Sequence, residues 1–360
     1  MQKSLKFKPS IKDLAIDALK IEREYSLDWW SHSSIFRYNA LMVSSFYGMK
    51  WGNFRQFYNI PKNDFLFVAD SGGYQVSTQK VAIEPTEVLN WMEANVDVGM
   101  TLDVPPLDMS LKVVGTFENF KLAARHSKRN YEIMYKNWNG KPELLKVIQG
   151  GTADRLDYWY NFTKELEFTG LAFSPKPVNE ETLAITLAYA NHVGDKKVHV
   201  FLGTSENISP ITIYAKKFFD RLTFDSSTCT SSATRFRNYF LPYNLSKSIT
   251  FGGQYKGKLK HLSCSCPVCK LATIDDFRIE KGSHATKTAS LAGSLIALHN
   301  IYVYLQYYDF LIALSDDEEA YRTFLLSRGL NNTVKMLDFL DLAEQVGFYD
   351  AYNKVFGQVP

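Results

Sequence analysis

Short apolar runs recur along the chain, each followed by a stretch whose apolar positions repeat at helical spacing. The runs are Phe65–Ala69, Val96–Leu102, Leu145–Ile148, Gly170–Phe173, Val198–Leu202 and Arg221–Phe224. Amphipathic helices are predicted between them, over about Val114–Tyr135, Ala153–Leu166 and Ile211–Asp220. Another starts at Asn179, an N-cap with Glu180 and Glu181 in its first turn. Strand alternating with helix means βαβ units and a parallel sheet. After Asp225 the pattern changes. Residues 226 to about 260 are rich in Ser, Thr, Tyr and Gly and read as a long loop or small excursion. A cysteine cluster follows, then the apolar stretch Ala289–Leu314, then two helices over about Asp316–Leu342.

The residues that end the runs are polar or glycine: Asp70, Asp103, Gln149, Ser174, Gly203 and Asp225. In a (β/α)₈ barrel the C-terminal ends of all strands converge on one face, and chemistry sits there. A doubly wound open sheet also places sites at strand C-termini. The number of units and the spread of candidates favour the barrel. The 360 residues suit one such barrel with insertions, so 1–360 is expected to be a single domain.

Composition adds little except by exclusion. Apolar residues make up 46% and charged residues 22%, a globular balance. With 25 Phe and 21 Tyr the core is easily filled and rings remain for stacking. A net charge of only +3 means that a polyanionic partner would need a local basic patch. The N-terminal stretch lacks the apolar segment of a secretory signal. Ala289–Leu314 has no Lys or Arg, but His299, Asn300, Gln306 and Asp309 would be costly in lipid, so a buried helix is expected and no membrane.

Cys264-Ser-Cys266-Pro-Val-Cys269 is a C-x-C-x₂-C cluster, and three of the four cysteines fall in it. So tight a group disfavours a disulfide framework and points to a reducing compartment, the cytoplasm by default. Three thiolates this close suit one tetrahedral ion, Zn²⁺ being the usual one. His261, His284 and His299 are all candidates for the fourth ligand. A set with no open position would be structural.

Asp70 opens Asp70-Ser71-Gly72-Gly73-Tyr74-Gln75, where two glycines after a strand let backbone approach a ligand. Asp103 lies in Leu-Asp-Val-Pro-Pro, and Asp225 precedes Ser226-Ser227-Thr228. Singly, each carboxylate reads equally well as a cap or a turn. Together, on one face and without a catalytic histidine, they suit chemistry at an acetal-like carbon: one attacks, one moves protons, one reads the leaving group. A base–sugar bond is such a centre. Gln149 would add amide hydrogen bonds to a purine edge, and Tyr74 would stack on its face.

At these residues the sequence resembles the guanine transglycosylase family, the queuine- and archaeosine-type enzymes that exchange guanine for a 7-deazaguanine. Asp70–Gln75 is similar to the family's D-S-G-G-[FY]-Q, and Val147-Ile148-Gln149-Gly150-Gly151 to its V-Q-G-G strand end. Phe224-Asp225 sits where the family has its F-D nucleophile. Cys264, Cys266, Cys269 and Leu298-His299-Asn300 match its C-x-C-x₂-C…L-H-N zinc site. The landmarks keep the family's order from about residue 64 to 300.

The resemblance implies that Asp225 attacks C1′ of the target nucleotide and that Asp70 is the general acid/base. Asp103, Gln149, Tyr74 and the Ser71-Gly72-Gly73 turn would hold the base, with Leu202 and Gly203 beside it. His299 becomes the fourth ligand of one structural zinc per chain, in a subdomain of about residues 250–305, and no diffusible cofactor is needed. A free 7-deazaguanine base (of the preQ0 type) and a nucleic acid are the implied partners, and a homodimer is the family's common state.

Two departures bear on the polymer. The family's Gly-Gly-Leu is here Ala172-Phe173-Ser174-Pro175, and its Pro-Thr-Arg-x-x-Arg, used on tRNA, is replaced by Thr234-Arg235-Phe236-Arg237. A chain that keeps the chemistry but changes the tRNA surface points to the DNA-guanine transglycosylase branch, with tRNA as the alternative. Such a chain works in the cytoplasm, a host's where the gene is a phage's. Phosphate contacts would come from Arg235, Arg237, Lys256, Lys258 and Lys260. A non-catalytic subunit of the same fold that binds nucleic acid, and an unrelated metal-dependent barrel hydrolase, are the competing readings.

Overall fold

The alternation of strand and helix closes on itself. In the computed structural model, which describes residues 4–11, 28–31, 34–79, 81–107, 116–236, 238–251, 264–277 and 287–357, eight parallel strands form a closed barrel. The strands are β1 (Ser4–Ile11), β2 (Ala40–Ser44), β3 (Leu66–Asp70), β4 (Val98–Met100), β5 (Glu143–Gln149), β6 (Gly170–Ser174), β7 (Lys197–Val200) and β8 (Arg221–Ser226). Each pairs with its neighbour in sequence, and β8 returns to β1 with Phe224 opposite Phe7 and Asp225 opposite Lys8. The open-sheet alternative is thereby excluded.

Two-residue periodicity assigns each strand residue to one of two cores. Met42, Val68, Val98, Met100, Leu145, Val147 and Ala172 cluster together and fill the barrel. The residues between them, such as Phe67, Ala69, Leu144, Ile148, Leu171 and Phe173, belong to the larger cluster under the helices. Counting two residues on from the inward set gives Asp70 after Val68, Gln149 after Val147 and Ser174 after Ala172. On β7 and β8 the inward positions are His199 and then Phe201, and Thr223 and then Asp225. The same pleat that packs the barrel therefore delivers these side chains to its C-terminal mouth.

The helices between strands are close to those expected: Phe117–Asn137, Ala153–Thr163, Glu180–His192 and Ser209–Tyr214. Asn179 does cap its helix, its side chain accepting from Thr182 N while Thr182 Oγ1 accepts from Asn179 N. The six runs seen in the sequence are β3 to β8. The first two strands, β1 and β2, were not expected.

The segment after β8 is a small excursion rather than a long loop. It contains a short helix Thr228–Ser231, a wide helical turn Ser232–Phe236, and an antiparallel hairpin of β9 (Asn238–Leu241) and β10 (Asn244–Thr250). The helix Lys287–Leu314 runs alongside and buries Tyr304, Tyr307 and Tyr308. No helix of the described residues is long and apolar enough to cross a membrane. Beyond it lie the two helices expected, Glu318–Ser327 and Asn331–Val346, and a third, Phe348–Phe356, set off from the second by Gly347 at φ 91°.

Candidate active site and metal centre

Asp70, Asp103 and Asp225 all line one cavity at the barrel mouth, about 350 Å³ in volume. Ser71, Gly73, Tyr74, Gln149 and Leu202 line it with them, as do Gln75, Ser174, Lys176 and Phe201. Gly72 and Gly203 stand behind this wall. Gly72, at φ 80°, donates its N–H to Asp70 Oδ1 at 2.7 Å. A Cβ on Gly73 would lie 2.2 Å from the Asp103 carbonyl oxygen, so only glycine lets the β3 turn reach Asp103. Gly203 packs toward Thr212 and Phe224.

The three carboxylates have different surroundings. Asp103 is buried and doubly held: Ser71 Oγ donates to Oδ1 at 3.0 Å and Gln149 Nε2 to Oδ2 at 2.6 Å. Burial pushes its pKa up, while Gln149 and Ser71 oppose the shift. Gln149 Oε1 is buried and has no hydrogen-bond partner among the described residues. An acceptor left in this state costs free energy until a donor arrives.

Asp70 is pushed up to about 7, chiefly by burial, with the charges of Asp225 and Asp103 adding to the rise. The hydroxyl of Ser44 and the N–H of Gly72 pull the other way. Its side chain still meets the solvent of the cavity. A carboxyl near neutrality can both give and take a proton at physiological pH.

Asp225 is buried and receives two groups on the same oxygen. Leu202 N donates to Oδ1 at 3.1 Å, and His199 Nε2 lies 3.4 Å from it. Leu202 has φ 62°, a left-handed conformation unusual for leucine, and this turn is what aims its N–H at the carboxylate. His199 is fully buried, with Nδ1 2.9 Å from Thr223 Oγ1 and its ring edge-on to Phe201.

Sequence reasoning missed His199 and Lys176. His199 sits in the middle of an apolar run, and only strand register turns it inward. Lys176 lies beyond the strand end, between two prolines. Its Nζ is 5.5 Å from the centre of the Tyr74 ring, and that ring is half exposed in the cavity.

The cysteine cluster forms a second centre. Sγ of Cys264, Cys266 and Cys269 and a ring nitrogen of His299 all lie within 4.8 Å of one another. His299 Nδ1 faces Cys266 Sγ at 3.3 Å and Cys269 Sγ at 3.5 Å. Its Nε2 meets the Phe240 carbonyl at 2.9 Å, which can only accept, so Nε2 carries the proton and Nδ1 offers its lone pair to the sulfurs. Tyr239 OH lies 3.1 Å from Cys269 Sγ, and the Tyr239 ring stacks on His299 at 3.6 Å. The donor set fits one tetrahedral ion. Asn300 ties the site to the hairpin, accepting from Phe240 N and donating to the carbonyls of Cys229 and Asn238.

Arg237, Lys256, Lys258 and Lys260 lie outside the described residues, as do His261, His284 and the side chain of Arg235.

A model of the queuine tRNA-ribosyltransferase (TGT) family matches residues 47–310. The chain belongs to that family. The match spans both the barrel mouth and the cysteine cluster, and it makes the chain a transglycosylase-type enzyme that acts on nucleic acid. No curated protein matches the chain significantly.

Proposed function

We propose that the protein exchanges a guanine in nucleic acid for a free 7-deazaguanine base, with DNA favoured as the polymer. The observation that carries the base is the acceptor pair at the cavity floor. Asp103 and the unpartnered Gln149 Oε1 both call for donors, and guanine offers two on one edge, at N1 and at its exocyclic amine. Adenine presents a donor and an acceptor there, and would leave one buried group unmet.

The division of labour follows from the three environments. Asp225 is the nucleophile. Its Oδ1 accepts from the Leu202 N–H and has His199 Nε2 3.4 Å away, so Oδ2 is the oxygen that attacks C1′. The C–O bond forms as the glycosidic C–N bond breaks, and its electron pair leaves on the base. Asp70, near pKa 7, supplies the proton that the departing base takes up. The incoming deazaguanine returns a proton to Asp70, and its ring nitrogen displaces the carboxylate. Tyr74 covers the base, and the Ser71-Gly72-Gly73 turn and Leu202-Gly203 shape the walls. The target nucleotide must leave its stack to reach this depth, at a cost of a few kcal/mol in a duplex.

Cys264, Cys266, Cys269 and His299 hold a structural zinc, which cross-links the hairpin to the helix Lys287–Leu314. Residues 1–360 form a single barrel domain, with 250–305 as its metal-bearing subdomain. Arg235, Arg237, Lys256, Lys258 and Lys260 follow the phosphates. The altered arginine motif at Thr234–Arg237 favours DNA; the description of the family that matches favours tRNA.

The test is incorporation of radiolabelled guanine into duplex DNA, single-stranded DNA and bulk tRNA in parallel, with Asp225→Asn as control. Label in DNA alone is the expected result, with a loss of about 10³-fold or more in the variant. Label in tRNA alone would keep the mechanism and overturn the polymer. Tight binding without exchange into any of the three would favour a non-catalytic subunit.

A further inference from the structure

Ser44 ends β2 as the cross-strand partner of Asp70 at the end of β3. It stands two residues beyond Met42, as Asp70 stands two beyond Val68, so both follow the barrel's inward positions to the mouth. Ser44 is buried, and Ser45 Oγ donates to the Asp70 carbonyl at 2.8 Å, which ties the two strand ends together. The Ser44 hydroxyl has two partners. One is the Asp70 carboxyl. The other is Gln75 Oε1, 3.3 Å away, on the helix Gly73–Gln79 that follows β3. Gln75 lines the cavity with Asp70.

A hydroxyl has one proton to give and lone pairs that receive another. It cannot donate to Asp70 and to Gln75 at once. Gln75 Oε1 can only accept. A charged Asp70 can only accept as well, so the Ser44 proton must turn to it and Gln75 loses its bond. A protonated Asp70 donates to Ser44 Oγ, and the Ser44 proton then serves Gln75. The other groups around Asp70 keep one role in both states. Gly72 N–H donates to Oδ1. Asp225 from β8 and Asp103 from beyond β4 disfavour its charge. Tyr74 and Lys176, which also line the cavity, lie against each other, and Lys176 acts on Asp103.

In a base exchange Asp70 gives up one proton and takes one back. Resting on the base-exchange reading above, we propose that Ser44 and Gln75 are positioning residues for that proton: the serine hydroxyl turns to the carboxylate when the departing base takes the proton, and back to Gln75 when the entering base returns it. The transferred proton is always on Asp70 or on the base; the pair exchanges hydrogen bonds only.

Two titrations of the full chain test this. The Asp70 carboxyl is followed by carbon NMR in free protein labelled at the aspartate carboxyls, with Asp70→Asn to assign the signal. The rate of covalent adduct formation is followed against pH on duplex DNA, single-stranded DNA and bulk tRNA. Ser44→Ala removes a donor to the charged carboxyl, so both midpoints should rise by about one pH unit. Gln75→Leu removes the competing acceptor, so both should fall by about half a unit. Ser44→Thr keeps the hydroxyl and should keep the wild-type midpoint. A merely structural pair would lower the rate at every pH and leave the midpoints in place. Midpoints that either Ser44→Ala or Gln75→Leu leaves unmoved, or that both move in the same direction, would overturn the assignment. If Ser44→Ala does not fold, Gln75→Leu decides, and a midpoint at or above that of the wild type overturns it. Carboxyl midpoints that move as expected while no adduct forms on any of the three polymers would sink the base-exchange reading and leave the pair standing; adduct formation with unmoved carboxyl midpoints would do the reverse.

Discussion

The barrel mouth and the cysteine cluster both follow from strand β8. Asp225 ends it inside the mouth, and the chain then folds the hairpin whose Phe240 carbonyl receives His299. The two regions treat their polar groups in opposite ways. In the cluster the described donors and acceptors named above are answered: His299 on both nitrogens, Cys269 by Tyr239, Asn300 by three backbone groups. At the mouth the groups are aimed but unfinished. Gln149 Oε1 lacks a partner among the described residues, and burial leaves Asp70 poised near neutrality. A closed polar set stabilises the fold, whereas an open one is held in readiness for a substrate, at some cost to stability. Substitutions should separate the two regions by what they damage.

The largest effect is expected in the cluster. Cys266→Ser removes a buried ligand, and metal binding of this kind is folding free energy. The variant should lose its stoichiometric zinc, measured by elemental analysis, and its melting temperature should fall by at least about 10 °C. Exchange should vanish with the fold. A variant without zinc that melts with the wild type would show the site to be dispensable, and the contrast between the two regions would fail.

Asp70→Asn should do the opposite. Proton transfer of this kind contributes roughly 10²- to 10⁴-fold, so exchange should fall by that order. Stability should move the other way, and the sign can be worked out. The carboxyl is about 7 in the folded chain and 3.8 in the unfolded chain. Between those values the folded state holds a proton that the unfolded state has lost, so rising pH costs stability up to about 7 and no more beyond it. Asparagine removes that cost. The variant should therefore melt a few degrees above wild type at pH 8, and the difference should vanish below about pH 4. In the wild type, formation of the covalent adduct should slow as pH rises through about 7. Equal melting at pH 8 would mean that Asp70 is not strained by its burial.

The sequence showed the mouth in outline because a strand with one polar residue at its end advertises both its length and its direction. That is how Asp70, Asp103, Gln149 and Asp225 were legible. β1 was not, since Lys and Pro interrupt its apolar positions and Pro9 reads against a strand. With β1 and β2 unread, Ser44 beside Asp70 was out of sight. His199 and Lys176 failed for different reasons. A histidine inside an apolar run reads as core until register assigns it a face, and a lysine in a loop reads as solvated until the loop is seen to fold over a cavity. The cluster was legible in three of its four residues, because three thiols at this spacing suit a single ion and little else. Its histidine came from family resemblance, and the bond from Nε2 to the Phe240 carbonyl supplies the physical reason that Nδ1 is the atom offered.

The smallest effect is expected at His199, where the mouth most nearly imitates the cluster. The imidazole is fully buried, with Nδ1 hydrogen-bonded to Thr223 and Nε2 3.4 Å from Asp225 Oδ1, a close charge contact in which no hydrogen bond is formed. If its task is to hold the nucleophile, as His299 holds the sulfurs, it acts on the bond-forming step and leaves base binding alone. His199→Leu should then lower kcat by about tenfold, the scale of one close contact to a charge in a buried site, with KM within about twofold. His199→Gln, whose amide nitrogen falls near the place of Nε2, should recover most of the loss. A rise in KM with kcat unchanged, or a glutamine variant no better than leucine, would make His199 a core residue. The fixed oxygen of Asp225 would then owe its position to the Leu202 N–H alone.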